Sequence, residues 1–307
     1  MRTDIGDQEL SEWCRTWLGS APIRQIFTAG NLSAVYGLTL ADGRDVVVKV
    51  RRNDQRLPAC ARVQLHMWQA GFPFPIPLAG PYPLGSGSAS AEELIPGTGE
   101  PIPGDDGAAK FADLLARFVA VAASHQPEPA LRPAPAWMYW YHNNDGVWPA
   151  PDDRDADLNA EHCSVTAWVD DVGRQLRQGL ADLRDTPRVI GHCDWDNRNV
   201  LWRDGEPLAV HDWDSVVSEP EVLIVGQAAA MWDGGPEGMG ASVAQSEAFL
   251  DAYQRSRGAD FTEPELRLCW AGGLWVRAFN AKKFHLDGLD ALDRTEAEER
   301  MRNAGLS

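Results

Sequence analysis

Hydrophobic positions change their period several times along the chain, and each change predicts a change of element. Residues 7–19, DQELSEWCRTWLG, predict a helix capped by Asp7 and stopped by Gly19. The period then shortens, and three strands are predicted near 23–28, 34–40 and 45–51. The Ala41-Asp42-Gly43 turn joins the last two as a hairpin. Leu57, Ala61, Leu65 and Trp68 recur at three- and four-residue spacings, which predicts a helix over 57–70 ended by Gly71. Prolines recur too often in residues 72–83 for helix. Residues 85–107, rich in Gly, Ser and Pro, read as a connector with a short strand at 92–95. Helices follow at 108–125 and 161–183, on either side of a long proline-, aromatic- and acid-rich loop at 126–160. Residues 188–215 read strand, loop, strand, turn, strand, and the chain from Glu219 on reads mostly helical. The sum is an α+β arrangement: a small antiparallel sheet, then a larger helical part, with a cleft between them. The connector divides the chain into 1–95 and 96–307.

Composition narrows the function classes. The chain has 307 residues, 44% apolar and 24% charged, which fits a globular protein and excludes a disordered or fibrous one. Acids outnumber bases 45 to 28, for a formal net charge of −17. That balance argues against nucleic acid or an anionic membrane surface as partner, and favours cations. Cys14, Cys60, Cys163, Cys193 and Cys269 are scattered without a CxxC pair. No disulfide framework is expected, and a reducing, cytoplasmic setting fits. The start, MRTDIGDQELSEW, carries acids where a secretory leader carries bases, and no apolar run reaches bilayer-spanning length.

Candidate chemistry concentrates in His192-Cys193-Asp194-Trp195-Asp196-Asn197-Arg198-Asn199 and His211-Asp212-Trp213-Asp214. Asp194 follows a strand, Asn199 lies further along the same loop, and Asp212 ends another strand beyond the Arg203-Asp204-Gly205 turn. A hairpin brings its ends together, so Asn199 and Asp212 can share one divalent cation. Asp194 then stands near enough to take a proton from an acceptor hydroxyl. Magnesium suits two protein ligands, because it keeps water and phosphate oxygens as well. Asp214 reads either as a second metal ligand or as a helix cap. Asp196 and Asn197 read as surface or loop-bracing groups. Lys49 alternates with Val48 and Val50, which fits either a solvent-facing strand position or a phosphate-binding one.

This combination resembles the aminoglycoside phosphotransferase and choline kinase-like family, relatives of the protein kinases, over roughly residues 25–285. The family's H-x-D-x-x-x-x-N loop is matched by His192, Asp194 and Asn199, and its metal-binding aspartate by Asp212. Thr28-Ala29-Gly30-Asn31-Leu32-Ser33 matches the phosphate-covering loop, and Lys49 the nucleotide-phosphate lysine. Gly71 to Pro75 looks like the G-x-P-x-P signature, and Glu92-Glu93-Leu94-Ile95-Pro96-Gly97 like the adenine-gripping hinge. The resemblance implies a protein-kinase-like bilobal fold, ATP as phosphoryl donor with GTP not excluded, Mg2+, and a small-molecule acceptor. In that template Asp194 is catalytic and His192 braces its loop. Asn199 and Asp212 hold metal. Lys49, Gly30, Asn31 and Ser33 meet the phosphates, and the backbone of Glu93, Leu94 and Ile95 meets adenine.

Three departures stand out. The helix after Lys49 should offer it a glutamate, yet residues 57–70 contain no acid. Gln64 as a neutral substitute, Asp54, or an acid elsewhere must serve, and a nucleotide-binding protein without turnover stays open as an alternative. Asp196 stands where protein kinases carry a lysine, and Glu219-Pro220-Glu221 follows Trp213 too closely for an activation segment. A protein substrate is therefore not expected. Leu223 stands where the family often keeps a structural aspartate. A metal-dependent hydrolase built on His192, His211, Asp212 and Asp194 is a further alternative, which leaves Lys49 and Asn199 without a role. Two regions are candidates for the acceptor wall. One holds Trp137, Tyr139, Trp140, Tyr141 and Trp148 beside Asp152, Asp153, Asp155 and Asp157. The other holds Trp232, Asp233, Trp270 and Trp275. Carboxylates with aromatic faces suit a cationic, hydroxylated ligand such as an aminoglycoside, another basic antibiotic or an amino-alcohol.

Overall fold

The computed structural model of the protein describes residues 5–30, 33–96, 104–143, 145–160, 167–233 and 240–306. The chain begins with α1 (Asp7–Leu18), β1 (Pro22–Ala29), β2 (Ala34–Leu40), β3 (Asp45–Arg52), α2 (Leu57–Gln69), β4 (Pro77–Leu84) and β5 (Gly87–Glu93). The five strands form one antiparallel sheet in the order β1-β2-β3-β5-β4. Strand alternation decides what β3 does. Val46, Val48 and Val50 are buried in a small core with Leu10, Trp13 and Leu18 of α1 and Ala89 and Ala91 of β5. Lys49 and Arg51 therefore leave the other face. The residues Ala59, Cys60, Val63 and Met67 of α2 join a second, larger core instead.

Two expectations change here. Gly6, not Asp7, is the N-cap of α1. The connector contains a full strand: β5 starts at Gly87 and lies between β3 and β4, because its small side chains let it pack against the valines. The proline-rich β4 is tolerated because it is the edge strand, where missing N–H donors cost nothing.

The remainder comprises α3 (Gly104–Ala122), α4 (Ala167–Gly179), β6 (Arg188–His192), β7 (Val200–Arg203), β8 (Glu206–Val210), β9 (Val216–Pro220), α5 (Glu221–Met231), α6 (Val243–Arg257), α7 (Glu263–His285) and α8 (Arg294–Asn303). The expected helix over 161–183 is α4 followed by a 3-10 turn at Ala181–Asp185; residues 161–166 lie outside the described residues. Residues 216–220, read in part as the start of a helix, form β9 and pair with β6. β7 and β8 make the expected hairpin. Among the described residues no helix is long and apolar enough to cross a membrane. Cys14, Cys60, Cys193 and Cys269 are free, buried thiols, and Cys163 lies outside the described residues.

The buried helix α5 packs on α7 so closely that glycine is required at the contact. A Cβ built on Gly226 would lie 2.0 Å from the Cys269 carbonyl oxygen, a backbone atom that cannot rotate away. Gly226→Ala is expected to cost about 1–3 kcal/mol through this overpacking, read as a lower urea midpoint with an unchanged slope. A midpoint equal to that of the unsubstituted protein would show that the two helices separate freely.

Candidate active site

The β6–β9 ladder closes the base of a loop that contains the β7–β8 hairpin. His192 pairs with Val216, and Cys193 N–H donates to the Ser215 carbonyl at 2.8 Å. At the hairpin's own base, His211 N–H donates to the Asn199 carbonyl at 2.7 Å. Asp194, Asn199 and Asp212 are thereby brought to one cavity of about 2140 Å³. Asn199 Nδ2 donates to both the carbonyl and the Oδ2 of Asp194, each at 2.8 Å. Burial and the charges of Asp196 and Asp212 push the Asp194 carboxyl up to about 7, against the pull of the Asn199 hydrogen bond.

His192 is fully buried and has no free nitrogen. Its Nε2 lies 3.0 Å and 3.1 Å from the carbonyl oxygens of His211 and Asp212, so that nitrogen carries the proton. Its Nδ1 then accepts from the Asp194 N–H at 3.2 Å. Burial holds the imidazole below its usual pKa, which keeps it neutral. Asp196, also buried, accepts from Arg198 N–H at 2.7 Å and pairs with its guanidinium.

Lys49 has a carboxylate partner, and it comes from the sheet. Glu92 stands opposite Val47 on β5, and its Oε1 lies 3.1 Å from Lys49 Nζ. The side chains are only 11% and 7% exposed, so this pair is shielded from water and salt. Gln64 of α2 donates through Nε2 to Glu92 Oε2 at 3.3 Å, and His211 Nδ1 lies 3.5 Å from Oε1. Burial would raise the Glu92 carboxyl, but Lys49 and His211 outweigh it and hold it lowered to about 2. The sequence left the partner open between Gln64, Asp54 and another acid. Gln64 orients the partner and is not the partner itself.

Asp212 adopts φ 64° and ψ 55°, an uncommon left-handed conformation that aspartate tolerates. Its Oδ1 accepts from Arg51 Nη2 at 3.1 Å and its Oδ2 from Ser215 Oγ at 3.1 Å. Arg51 Nε also pairs with Asp214 Oδ2. Burial would raise both carboxyls. Arg51 and Lys49 hold Asp212 well below the usual range, whereas Asp214, beside that negative charge, is pushed up to about 6. Arg56, near the start of α2, donates to the carbonyls of Asp214 and Val216, both at 2.8 Å.

The donor set fits a hard divalent cation. Asn199 spends its Nδ2 on Asp194, which leaves its Oδ1 as an oxygen donor, and Asp214 Oδ1 is buried without a hydrogen-bond partner among the described residues. Among the described residues no group of three or more His, Cys, Asp or Glu side chains is arranged to hold a metal. A cation bound by Asn199 and Asp212 would therefore keep most of its ligands from water or phosphate.

The same cavity is lined by Gly30, Ser33, Lys49, Leu94 and Ile95, and by Val35, Val47 and Leu201 as apolar walls. Gly30 has φ 107°, and a Cβ there would lie 2.1 Å from the Ser33 carbonyl oxygen, so this position takes only glycine. Asn31 lies outside the described residues. Glu93 does not line the cavity. Its N–H donates to the Ile76 carbonyl at 2.9 Å, and that of Leu94 to the Asp45 carbonyl at 3.1 Å. Of the three residues expected to meet adenine, Ile95 alone keeps its amide free of hydrogen bonds among the described residues.

The proposed acceptor walls separate into cavity and core. Trp137, Asp152, Asp153 and Asp155 line the cavity, and Trp137 Nε1 donates to the Cys193 carbonyl at 2.9 Å, next to Asp194. Trp140, Trp148, Trp232 and Trp275 are buried in the larger core and do not line the cavity. Tyr139 faces a smaller recess of about 370 Å³, and Tyr141 donates to Glu219. Asp157, Asp233 and Trp270 also lie outside the cavity. The sequence missed Gln227, Met231, Val276, Asn280 and Phe284, which line it from α5 and α7. Their helical spacing looks the same as a core face.

Residues 24–269 match the model of the phosphotransferase enzyme family, APH, and the chain belongs to this family. It is a small-molecule phosphotransferase with the protein-kinase-like bilobal fold. Among solved structures it is similar to amicoumacin kinase hAmiN, in complex with AMP-PNP, Ca2+ and Ami, at 14% identity and a TM-score of 0.66, over 93% of this chain and 88% of that one. It is similar to spectinomycin phosphotransferase APH(9)-Ia, in complex with ADP and spectinomycin, at 13% identity and a TM-score of 0.55, over 99% and 94% of the two chains. A thermostable mutant of aminoglycoside phosphotransferase APH(4)-Ia, in complex with ADP and hygromycin B, gives 14% identity and a TM-score of 0.57, over 97% and 100%. At such identities the likeness is one of fold. No curated protein matches the chain.

Proposed function

We propose that the protein transfers the γ-phosphoryl group of ATP to a hydroxyl of a small, cationic acceptor. The observation that carries this reading is the convergence of Asp194, Asn199 and Asp212 on one cavity beneath the buried Lys49–Glu92 pair. Lys49, Gly30 and Ser33 hold the phosphates, and the Ile95 amide and the apolar walls receive the base. Asn199 and Asp212, with Asp214 beside them, would hold magnesium, which would supply charge neutralisation to the phosphates. Asp194 accepts the proton of the acceptor hydroxyl as the oxygen–phosphorus bond forms. His192 holds the loop from both ring nitrogens. Phosphoryl transfer needs mainly positioning and charge, and the arrangement supplies both.

The alternative without turnover drew on an acid-free α2; Glu92 removes that motive. A hydrolase would need His192, whose nitrogens are both engaged. For the acceptor, Asp153 is already paired with Lys283 at 3.1 Å, and Asp152 accepts from the Ala136 N–H at 2.8 Å. Asp155, exposed at the cavity edge, and the free lone pairs of Asp152 favour an acceptor with one amine beside its hydroxyl, lying on Trp137. The four buried thiols suit a reducing, cytoplasmic setting.

The test is an ADP-release screen with Mg2+ across aminoglycosides, peptide antibiotics, amino-alcohols, sugars and nucleosides, with the product weighed by mass spectrometry. A gain of one phosphoryl mass on an amine-bearing compound is the expected result. Efficient, exclusive turnover of an uncharged or anionic compound would reject the cationic acceptor. ADP release without phosphorylated product from any compound would reject the transfer itself.

A further inference from the structure

Arg51 lies two residues beyond Lys49 on β3, and the two side chains leave the same face of the strand. Its side chain is 11% exposed and crosses from the sheet to the loop after β8. There Nη2 meets Asp212 Oδ1 at 3.1 Å, and Nε pairs with Asp214 Oδ2. Among the described residues no other basic side chain forms an ion pair with either carboxylate. Burial works against the guanidinium's charge, but Asp214, Asp212 and Glu92 more than offset it, and its pKa is raised.

This placement sets up a competition. A divalent cation that takes Asp212 takes an oxygen that Arg51 already holds. Two carboxylates and one guanidinium leave one negative charge. Adding a dication to the same carboxylates sets it against the guanidinium's like charge, which is costly unless another anion arrives. The phosphates of the nucleotide, beside Lys49 in the same cavity, are such an anion. A guanidinium's planar fork matches a pair of phosphate oxygens as well as it matches carboxylates.

We propose that Arg51 couples metal binding to nucleotide binding: it holds Asp212 and Asp214 until phosphates arrive, then yields the carboxylates to the cation and turns to the phosphates. The proposal rests on Asp212 as the metal ligand of the reading above. It makes Arg51 a positioning residue with two successive sets of partners. The cation alone binds weakly, and cation and nucleotide strengthen one another reciprocally.

The test uses the full chain, manganese as the probe ion and AMP-PNP as the nucleotide, with binding followed by manganese spin resonance and calorimetry. Arg51→Met keeps an apolar stem and removes the charge. It is expected to bind manganese alone about tenfold more tightly than the unsubstituted protein. The factor by which AMP-PNP strengthens manganese binding should fall at least tenfold in the variant. Arg51→Gln, which keeps a hydrogen-bond donor, gives the same reading if the Met variant does not fold. Unchanged manganese affinity and an unchanged strengthening factor in the variant would overturn the proposal. Asp212→Asn separates the two ideas. If it loses manganese while Arg51→Met behaves like the unsubstituted protein, only the coupling role falls. If it binds manganese normally, the metal-site reading falls, and the coupling role falls with it.

Discussion

Replacing Asp194 by asparagine is expected to lower turnover about a thousandfold, the scale of a lost general base, with nucleotide affinity close to that of the unsubstituted protein. The substitution is nearly isosteric. An asparagine oxygen can still accept from Asn199 Nδ2, the contact that ties the two residues together at 2.8 Å. The Asp194 N–H still donates to His192 Nδ1, so the loop keeps its shape. What disappears is the ability to take a proton. Because Lys49, Gly30 and Ile95 lie on the sheet side of the cavity, binding of AMP-PNP by calorimetry should hardly change. Undiminished turnover with the true acceptor would remove Asp194 from the chemistry. A large loss of nucleotide affinity would mean that its charge serves binding instead.

The second large effect is expected at Glu92. Glu92→Gln leaves Lys49 without its shielded carboxylate, and kcat/KM for ATP should fall about 10- to 100-fold, equivalent to about 1.4–2.7 kcal/mol. The neighbouring Gln64 makes a sharper version possible. Its amide already touches Glu92 Oε2, so the double variant Glu92→Gln with Gln64→Glu moves the carboxylate across one hydrogen bond onto α2. Recovery of at least half the loss, in logarithmic terms, is the expected outcome. No recovery would mean that the strand position itself matters. Stability carries a second signature. The folded carboxyl sits lowered at about 2, below its ordinary 4.5, so its contribution is present above pH 4.5 and fades as pH falls toward 2. Acid unfolding of Glu92→Gln should therefore be less steep over that window.

The legible parts of the molecule were the local ones. His192, Asp194, Asn199 and Asp212 belong to one hairpin-bearing loop, so spacing along the chain translates directly into spacing in the cavity. The valines on either side of Lys49 marked its strand but left its role open between solvent and phosphate. Glu92 did not, because its strand is made of glycine, serine and alanine, which read as connector. Only the alternation of Ala89 and Ala91 with Ser88 and Ser90 marked it as a strand. The strand at Val216–Pro220 was hidden by its shortness and by the acid–proline–acid run that also starts helices. Arg51 ends a predicted strand, and nothing local reveals its partner 161 residues away. The tryptophans divide between core and cavity by tertiary packing alone, which composition cannot express.

The division of apolar contacts bears on how the cleft moves. The sheet and α1 share one core, while α2 is rooted in the other with α3 and the aromatic cluster of Phe72, Phe74 and Phe118. A seam between two cores gives way more cheaply than the interior of either. An opening of the cleft at that seam would carry β3 and β5 as one unit. Lys49 and Glu92 are paired groups on adjacent strands of the sheet, whereas Gln64 belongs to α2. Such an opening would keep the Lys49–Glu92 pair whole, and would have to release the contacts of Gln64, His211 and Arg51 that fasten the sheet to the rest of the site.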